Sequence, residues 1–310
     1  MKAKKFVTSL TVLALATIVL GGCSSDDNKE GTDSSSTAAT EVTTSSEASS
    51  EDVAAPGVVL QDGTYKLEEK NYNNGYRAVF SIDVKDGKIV ASNYDNVNEE
   101  GKSKQEDADY NKNMQDKAGN SPETFIPAFN EALVANQDPS AIEVVSGATH
   151  SFHAFQNYAQ QLIQAAQAGD TTTIEIDNGA DLKDGTYTIE EKNYNNGYRV
   201  SFSIEVKDGK VVASKYDNIN EEGKSKQEDV DYNKMMQDKA GNSPEKFIPA
   251  FNEALVDQMA KEDGTPGDIE VVSGATHSFH TFILYTEQLI NAAEKGDTAT
   301  ITVDNFVEEN

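Results

Sequence analysis

The chain carries the same long passage twice, and this limits its fold more than any other feature. Asp62-Gly63-Thr64-Tyr65 returns as Asp184-Gly185-Thr186-Tyr187, 122 residues later. The segment 70–77, Lys-Asn-Tyr-Asn-Asn-Gly-Tyr-Arg, returns at 192–199, and 98–107 returns at 220–229. Segment 142–153 returns at 269–280, where the offset has grown to 127. The five extra residues fall between Val256 and Ile269, in a Gly-, Pro- and Asp-bearing stretch that reads as a loop. Solenoid and propeller units repeat every ~20–50 residues, so this period predicts two complete domains, 57–178 and 179–310.

Each copy has the same coarse layout. Gly63 to Tyr72 is a strand candidate. Tyr76 to Lys85 alternates, with Phe80, Ile82 and Val84 on one parity and Val79, Ser81, Asp83 and Lys85 on the other. Asp86-Gly87 is a hairpin signal, and Lys88 to Tyr94 is the return strand. Asp107 to Lys117 reads as a helix. Asn120-Ser121-Pro122-Glu123 opens a second, running to about Ala135, with proline in the first turn. Ile142 to Val145 is a short extended piece, His150 to Ala168 a long helix, and Thr171 to Asp177 a closing strand. The expected class is α+β: in each copy an antiparallel sheet with helices packed against it.

The N-terminus reads as an address. Lys2, Lys4 and Lys5 precede an apolar run from Phe6 to Leu20, which ends Leu20-Gly21-Gly22-Cys23. The layout is that of a secretory signal, residues 1–22, rather than a membrane span. It resembles the lipobox of bacterial lipoproteins, in which Cys23 is acylated (palmitate among the chains) and becomes the mature N-terminus. Cys23 is the only cysteine, so an intrachain disulfide and a cysteine-based metal centre are both excluded. From 23 to 56 the chain is Ser, Thr, Asp and Glu with scattered Ala, too poor in apolar surface to fold. Such a tether spans about 30 Å on average and about 110 Å at full extension. Acidic residues number 53 and basic ones 26, for a formal net charge of −27. A surface this acidic repels polyanions, so no nucleic-acid partner is expected.

One motif carries chemistry. Ser146-Gly147-Ala148-Thr149 sits just before the long helix, and Ser273-Gly274-Ala275-Thr276 repeats it. Small residues allow close backbone approach, and a helix N-terminus favours an anion such as phosphate. On physics alone the alternative stands beside this: an ordinary threonine N-cap after a glycine turn. The longer string Glu-Val-Val-Ser-Gly-Ala-Thr-His-Ser, at 143–151 and 270–278, resembles the flavinylation motif of FMN-binding domains. In that family a flavin transferase esterifies the phosphate of FMN to the threonine of Asp-x-x-Ser/Thr-Gly-Ala-Thr. The resemblance implies two covalent FMN per chain, on Thr149 and Thr276. The family's aspartate is replaced by Glu143 and Glu270.

Lipobox, tether and two such domains together resemble the lipoproteins of Gram-positive extracellular electron transfer, of the pheromone-encoding type. The resemblance implies an electron carrier at the extracytoplasmic face of the membrane, held by its lipid in the bilayer, rather than a substrate-specific enzyme. Its partners would be the flavin transferase, a membrane quinol-oxidising donor, and extracellular acceptors such as ferric iron or soluble flavins. The signal peptide would yield a secreted pheromone. The rival is a cofactor-free ligand-binding or adhesive surface lipoprotein.

The four histidines, His150, His153, His277 and His280, follow the two threonines. Phe152, Phe155, Ala159, Leu162, Ile163 and Ala166 form one helical stripe, and His150 and His153 point roughly opposite to it. They either meet the flavin or lie in a solvated first turn; two histidines alone make no metal site. Aromatic candidates to cover a flavin ring are Tyr72, Tyr76 and Tyr110 with Met114, and in the second copy Tyr194, Tyr198 and Tyr232 with Met236. Ordinary core or surface packing is the favoured reading of each, because strands and helices need aromatics anyway. No paired acid/base site, and so no catalytic residue, is expected.

Overall fold

In the computed structural model, which describes residues 59–143, 145–305 and 307, the first repeat opens with three antiparallel strands: β1 (Gly63–Glu69), β2 (Arg77–Lys85) and β3 (Lys88–Val97). The alternation in β2 is realised. Ala78, Phe80, Ile82 and Val84 are buried while their neighbours face outward. Asp86 (φ 52°) and Gly87 (φ 74°) turn β2 into β3, the left-handed pair that a two-residue hairpin requires.

α1 (Ala108–Ala118) is capped by the Asp107 carboxylate, which accepts from the Tyr110 N–H at 2.9 Å, and it stops at Gly119 in the left-handed region. α2 (Pro122–Asn136) has proline at its first position. It also closes the outer edge of the sheet. Asn130 accepts from the Tyr94 N–H at 2.7 Å and donates to the Tyr94 carbonyl at 3.0 Å, and Gln137 does the same for Ile89 at 2.8 and 2.9 Å. These amides stand where another strand would pair and so protect the edge.

α3 (Thr149–Ala168) lies across the sheet face and returns the chain to β4 (Ile174–Ile176). The strand order is β3-β2-β1-β4, with β4 parallel to β1. The three long strands are antiparallel as expected; the fourth is parallel because a helical crossover precedes it. In the predicted extended piece 142–145, Ile142 has extended backbone (φ −85°, ψ 129°), and none of its described residues pairs into a sheet. Ile142 follows a 3₁₀ turn (Pro139–Ala141) and buries its side chain in the core.

The second repeat follows the same path: β5 (Gly185–Glu191), β6 (Arg199–Lys207), β7 (Lys210–Ile219), α4 (Val230–Ala240), α5 (Pro244–Met259), α6 (Thr276–Lys295) and β8 (Ile301–Val303). Its sheet order is β7-β6-β5-β8. The fold is thus α+β, two four-stranded sheets each covered by helices. Each repeat has its own core, centred on Phe155 or Phe282. Phe155 stacks on Phe80 (centroids 5.3 Å) and Phe129 (5.1 Å), and Phe282 on Phe202 (5.4 Å) and Phe251 (5.1 Å).

Both repeats belong to one compact unit, joined through α3 and α6. Asn157 and Gln161 donate to Asn291 Oδ1 at 2.9 and 3.2 Å, Gln164 donates to Gln288 Oε1 at 3.2 Å, and Gln167 donates to the Asp304 carbonyl at 3.0 Å. Amides that look like a solvated helix face in the sequence therefore form a half-buried polar seam. The predicted lipid-bearing Cys23, the signal 1–22 and the tether 23–56 lie outside the described residues.

Candidate functional site

The Ser-Gly-Ala-Thr loop is held by its backbone. The Ala148 N–H donates to the Val145 carbonyl at 3.1 Å, with Gly147 at φ 79° in the turn. A side chain at Gly147 would be strained by that φ and would also drive its Cβ into the Ala118 carbonyl at the end of α1. The Asn120 amide donates to the Ser146 carbonyl at 3.1 Å. Every feature recurs in the second copy: Gly274 at φ 78° against the Ala240 carbonyl, and Asn242 donating to the Ser273 carbonyl at 3.0 Å.

This settles the position of the threonine. Ala148 and Ala275 are the N-caps, and Thr149 and Thr276 are the first helical residues. Both threonines are exposed, and their hydroxyls make no hydrogen bond with any described residue. The ordinary threonine cap is therefore not what forms. Among the described residues, the other four α-helices each carry an acidic side chain in the first turn; α3 and α6 carry none, and no side chain caps them. Among the described residues, these are the two α-helix N-termini at which no acidic side chain of the helix's own first turn offsets the positive end of the helix dipole. Loop and helix end together fit a phosphate ester on the threonine: a free hydroxyl, a glycine turn no larger residue could occupy, and N–H groups awaiting an anion.

The remaining predicted residues fall in different places. Ser146, Ser273, Glu143 and Glu270 are exposed. His150 is exposed, its Nε2 3.9 Å from Asp268 Oδ1 of the other repeat. His153 packs on Gly267 of the second repeat, and its buried Nδ1 has no partner among the described residues. Burial, then the neighbouring His150 and His280, hold the His153 imidazole below its ordinary value; burial and His277 do the same for His280.

Tyr110 and Met114 stand elsewhere. The Tyr76 and Tyr110 rings meet edge to face at 6.1 Å, with Lys104 Nζ 4.2 Å from the Tyr110 centroid. The Tyr76 hydroxyl donates to Asp107 Oδ2 at 2.7 Å, which pushes the phenol up to about 12. Met114 packs on the core. Tyr198, Tyr232 and Lys226 repeat the cluster, beside a half-buried Met236. Tyr72 and Tyr194 lie under Arg77 and Arg199. Tyr110 is eight residues before Ala118, so about 12 Å along α1 from the end that abuts the Ser-Gly-Ala-Thr loop.

Sequence reasoning missed the cleft between the repeats. A cavity of about 220 Å³ is lined by Thr149, His153 and Gln156 of the first repeat and by Val271, His280 and Glu287 of the second, among others. Glu287 makes no hydrogen bond with any described residue, and burial pushes its carboxyl up to about 8. The available signal was divergence between the copies: Glu287 stands where the first repeat has Gln160, and Gly267 lies in the segment holding the five extra residues. Among the described residues no group of three or more His, Asp or Glu is placed to hold a metal ion.

Part of the chain is similar to known proteins. The FMN-binding domain family matches residues 74–164. The 15 kDa lipoprotein of Treponema pallidum is 31% identical over 116 residues, which make up 37% of this chain and 82% of that protein. A crystal structure of a Clostridium perfringens protein is 36% identical, covers 38% of this chain and 97% of its own, and gives a TM-score of 0.36. The free threonine in its glycine turn and the match across the first repeat lead to one conclusion: the chain belongs to the FMN-binding domain family.

Proposed function

We propose that this protein is a lipid-anchored electron carrier of the extracytoplasmic membrane face, with FMN bound through a phosphoester to Thr149 and to Thr276. The observation that carries the reading is the pair of free hydroxyls at the two α-helix N-termini that, among the described residues, carry no acidic side chain in the first turn. The flavin transferase forms a bond from the threonine Oγ1 to the phosphorus of FMN. The threonine loses a proton, and the phosphoryl group's previous partner leaves with the bonding pair. Gly147 and Gly274 let the loop close, Asn120 and Asn242 hold it, and the first-turn N–H groups receive the phosphate charge. When bound, FMN supplies reversible one- and two-electron transfer. The chain attaches it, orients it and sets its electrostatic surroundings.

Two organising features support the wider role. Cys23 at the lipobox and the relative's description as a lipoprotein support membrane anchoring, with the signal at 1–22, the tether at 23–56 and the FMN-binding domains at 57–178 and 179–310. Covalent attachment suits a carrier outside the cell, where a dissociated flavin is lost, and a chain of net charge −27 would hold anionic FMN poorly by charge alone. Electrons enter from a membrane quinol-oxidising donor and leave to ferric iron or soluble flavins. The acidic surface favours cationic acceptors in a salt-dependent way.

The test is colour. Protein co-produced with a flavin transferase, then denatured and washed, is expected to stay yellow. Each of Thr149→Ala and Thr276→Ala should halve the absorbance, and the double variant should abolish it. Bleaching of the wild-type chain on denaturation would refute the covalent reading.

A further inference from the structure

The two threonines have nearly the same local surroundings, yet the molecule treats them differently. Thr149 lines the cavity of about 220 Å³ between the repeats; Thr276 is not among its lining residues. The asymmetry has a visible source. The longer connection of the second repeat places the 3₁₀ turn Pro266–Asp268 against α3, and a Cβ on Gly267 would come within 2.8 Å of His153 Nδ1. That turn walls the cavity on the first repeat's side.

The walls suit a flat, amphipathic ring. Phe152, Phe279, Ile283 and Leu284 give the cavity apolar surface. Two polar groups there have no hydrogen-bond partner among the described residues: His153 Nδ1, which is buried, and the carboxyl of the half-buried Glu287. Both also line a second cavity of about 190 Å³ that continues past Gly267, so they stand at the junction between the two spaces. A buried polar atom without a partner, as at His153, is uncommon in folded proteins; with an unpaired carboxyl beside it, it marks a place where a ligand's donors and acceptors are received. A cavity of ~150 Å³ takes one benzene ring; this one takes more than one ring and leaves the remainder of a tricyclic system at its mouth.

We propose that the cleft between the two repeats receives the ring system of the FMN carried on Thr149, with His153 and Glu287 as its hydrogen-bonding partners, while the FMN on Thr276 stays outside it. This rests on flavinylation at Thr149 and goes beyond it. The two flavins are inequivalent: one is shielded and held by both repeats, the other is open to solvent and to partners. His150 and Tyr158 on α3, His277 and His280 on α6, and Asp268 in the connecting turn are further titratable groups around the cleft.

The experiment uses the full flavin-loaded chain as Thr276→Ala, which keeps only the Thr149 flavin, and as Thr149→Ala, which keeps only the other. Intact mass first counts the FMN on each. Iodide quenching and anisotropy of flavin fluorescence then report ring exposure and mobility. The flavin on Thr149 is expected to be at least threefold less quenchable and more slowly rotating. Adding Glu287→Gln should shift the midpoint potential of the Thr149 flavin and its pH dependence, and leave the Thr276 flavin unchanged. No FMN on Thr276→Ala protein overturns the flavinylation reading at Thr149 and this inference with it. One FMN per variant with equal quenching, or a Glu287→Gln shift equal at both sites, overturns this inference alone.

Discussion

Replacing Glu287 by glutamine should stabilise the protein, and increasingly so as pH rises. Burial lifts the Glu287 carboxyl from 4.5 to about 8. Between those values the folded chain keeps a proton that the unfolded chain has released, so stability falls with rising pH by up to about 1.4 kcal/mol per unit. The whole window gives an upper bound of about 5 kcal/mol. Water entering through the two cavities screens the charge, and we expect about 2–3 kcal/mol between pH 5 and pH 8. Glutamine cannot titrate, and the matching position of the first repeat, Gln160, is a buried amide, so the substitution suits such a helix seam. Urea unfolding of wild type and Glu287→Gln at several pH values isolates the effect, because the nearby histidines and Asp268 are common to both proteins. A stability difference that stayed constant from pH 5 to pH 8 would refute the reasoning.

Three further outcomes follow from the same geometry. Gly147→Ala should cost about 1–3 kcal/mol through its positive φ and the clash with the Ala118 carbonyl, and peptide mapping should show flavin lost from Thr149 while Thr276 keeps its own. Asn130→Ala should lower stability by about 1–3 kcal/mol in urea melts, because it strips the Tyr94 N–H and carbonyl of their partner. The depressed His153 value makes the unfolded chain the better proton acceptor, so stability is lost as pH falls below about 6.5; His153→Gln should reduce that acid loss, as read from melts near pH 5.

Much of this molecule is legible in the order of its residues. The period-two pattern of β2, the Asp86-Gly87 turn, the Pro122 helix start and the Phe152–Ala166 stripe all follow from local chemistry, and all form. Thr149 was visible as a residue but not as a position. Whether it caps the helix or begins it depends on Ala148 taking the cap, which the turn at Gly147 decides. The parallel β4 was hidden because three residues of strand carry no sign of their partner. The α3–α6 seam was hidden for a different reason. Asn157, Gln161 and Gln164 have the polarity of a solvated face, and only the second repeat shows that their partners are other amides. Glu287 and the longer connection at Gly267 were visible as differences between the copies, and those differences concentrate where the repeats meet.

The central claim is that two threonine hydroxyls become phosphoester anchors for FMN. Intact mass with peptide mapping of the protein made in its native host tests it most directly. The account predicts a chain heavier by two FMN esters, one mapped to Thr149 and one to Thr276, with one lost in each single alanine variant. Unmodified peptides at both positions would contradict it.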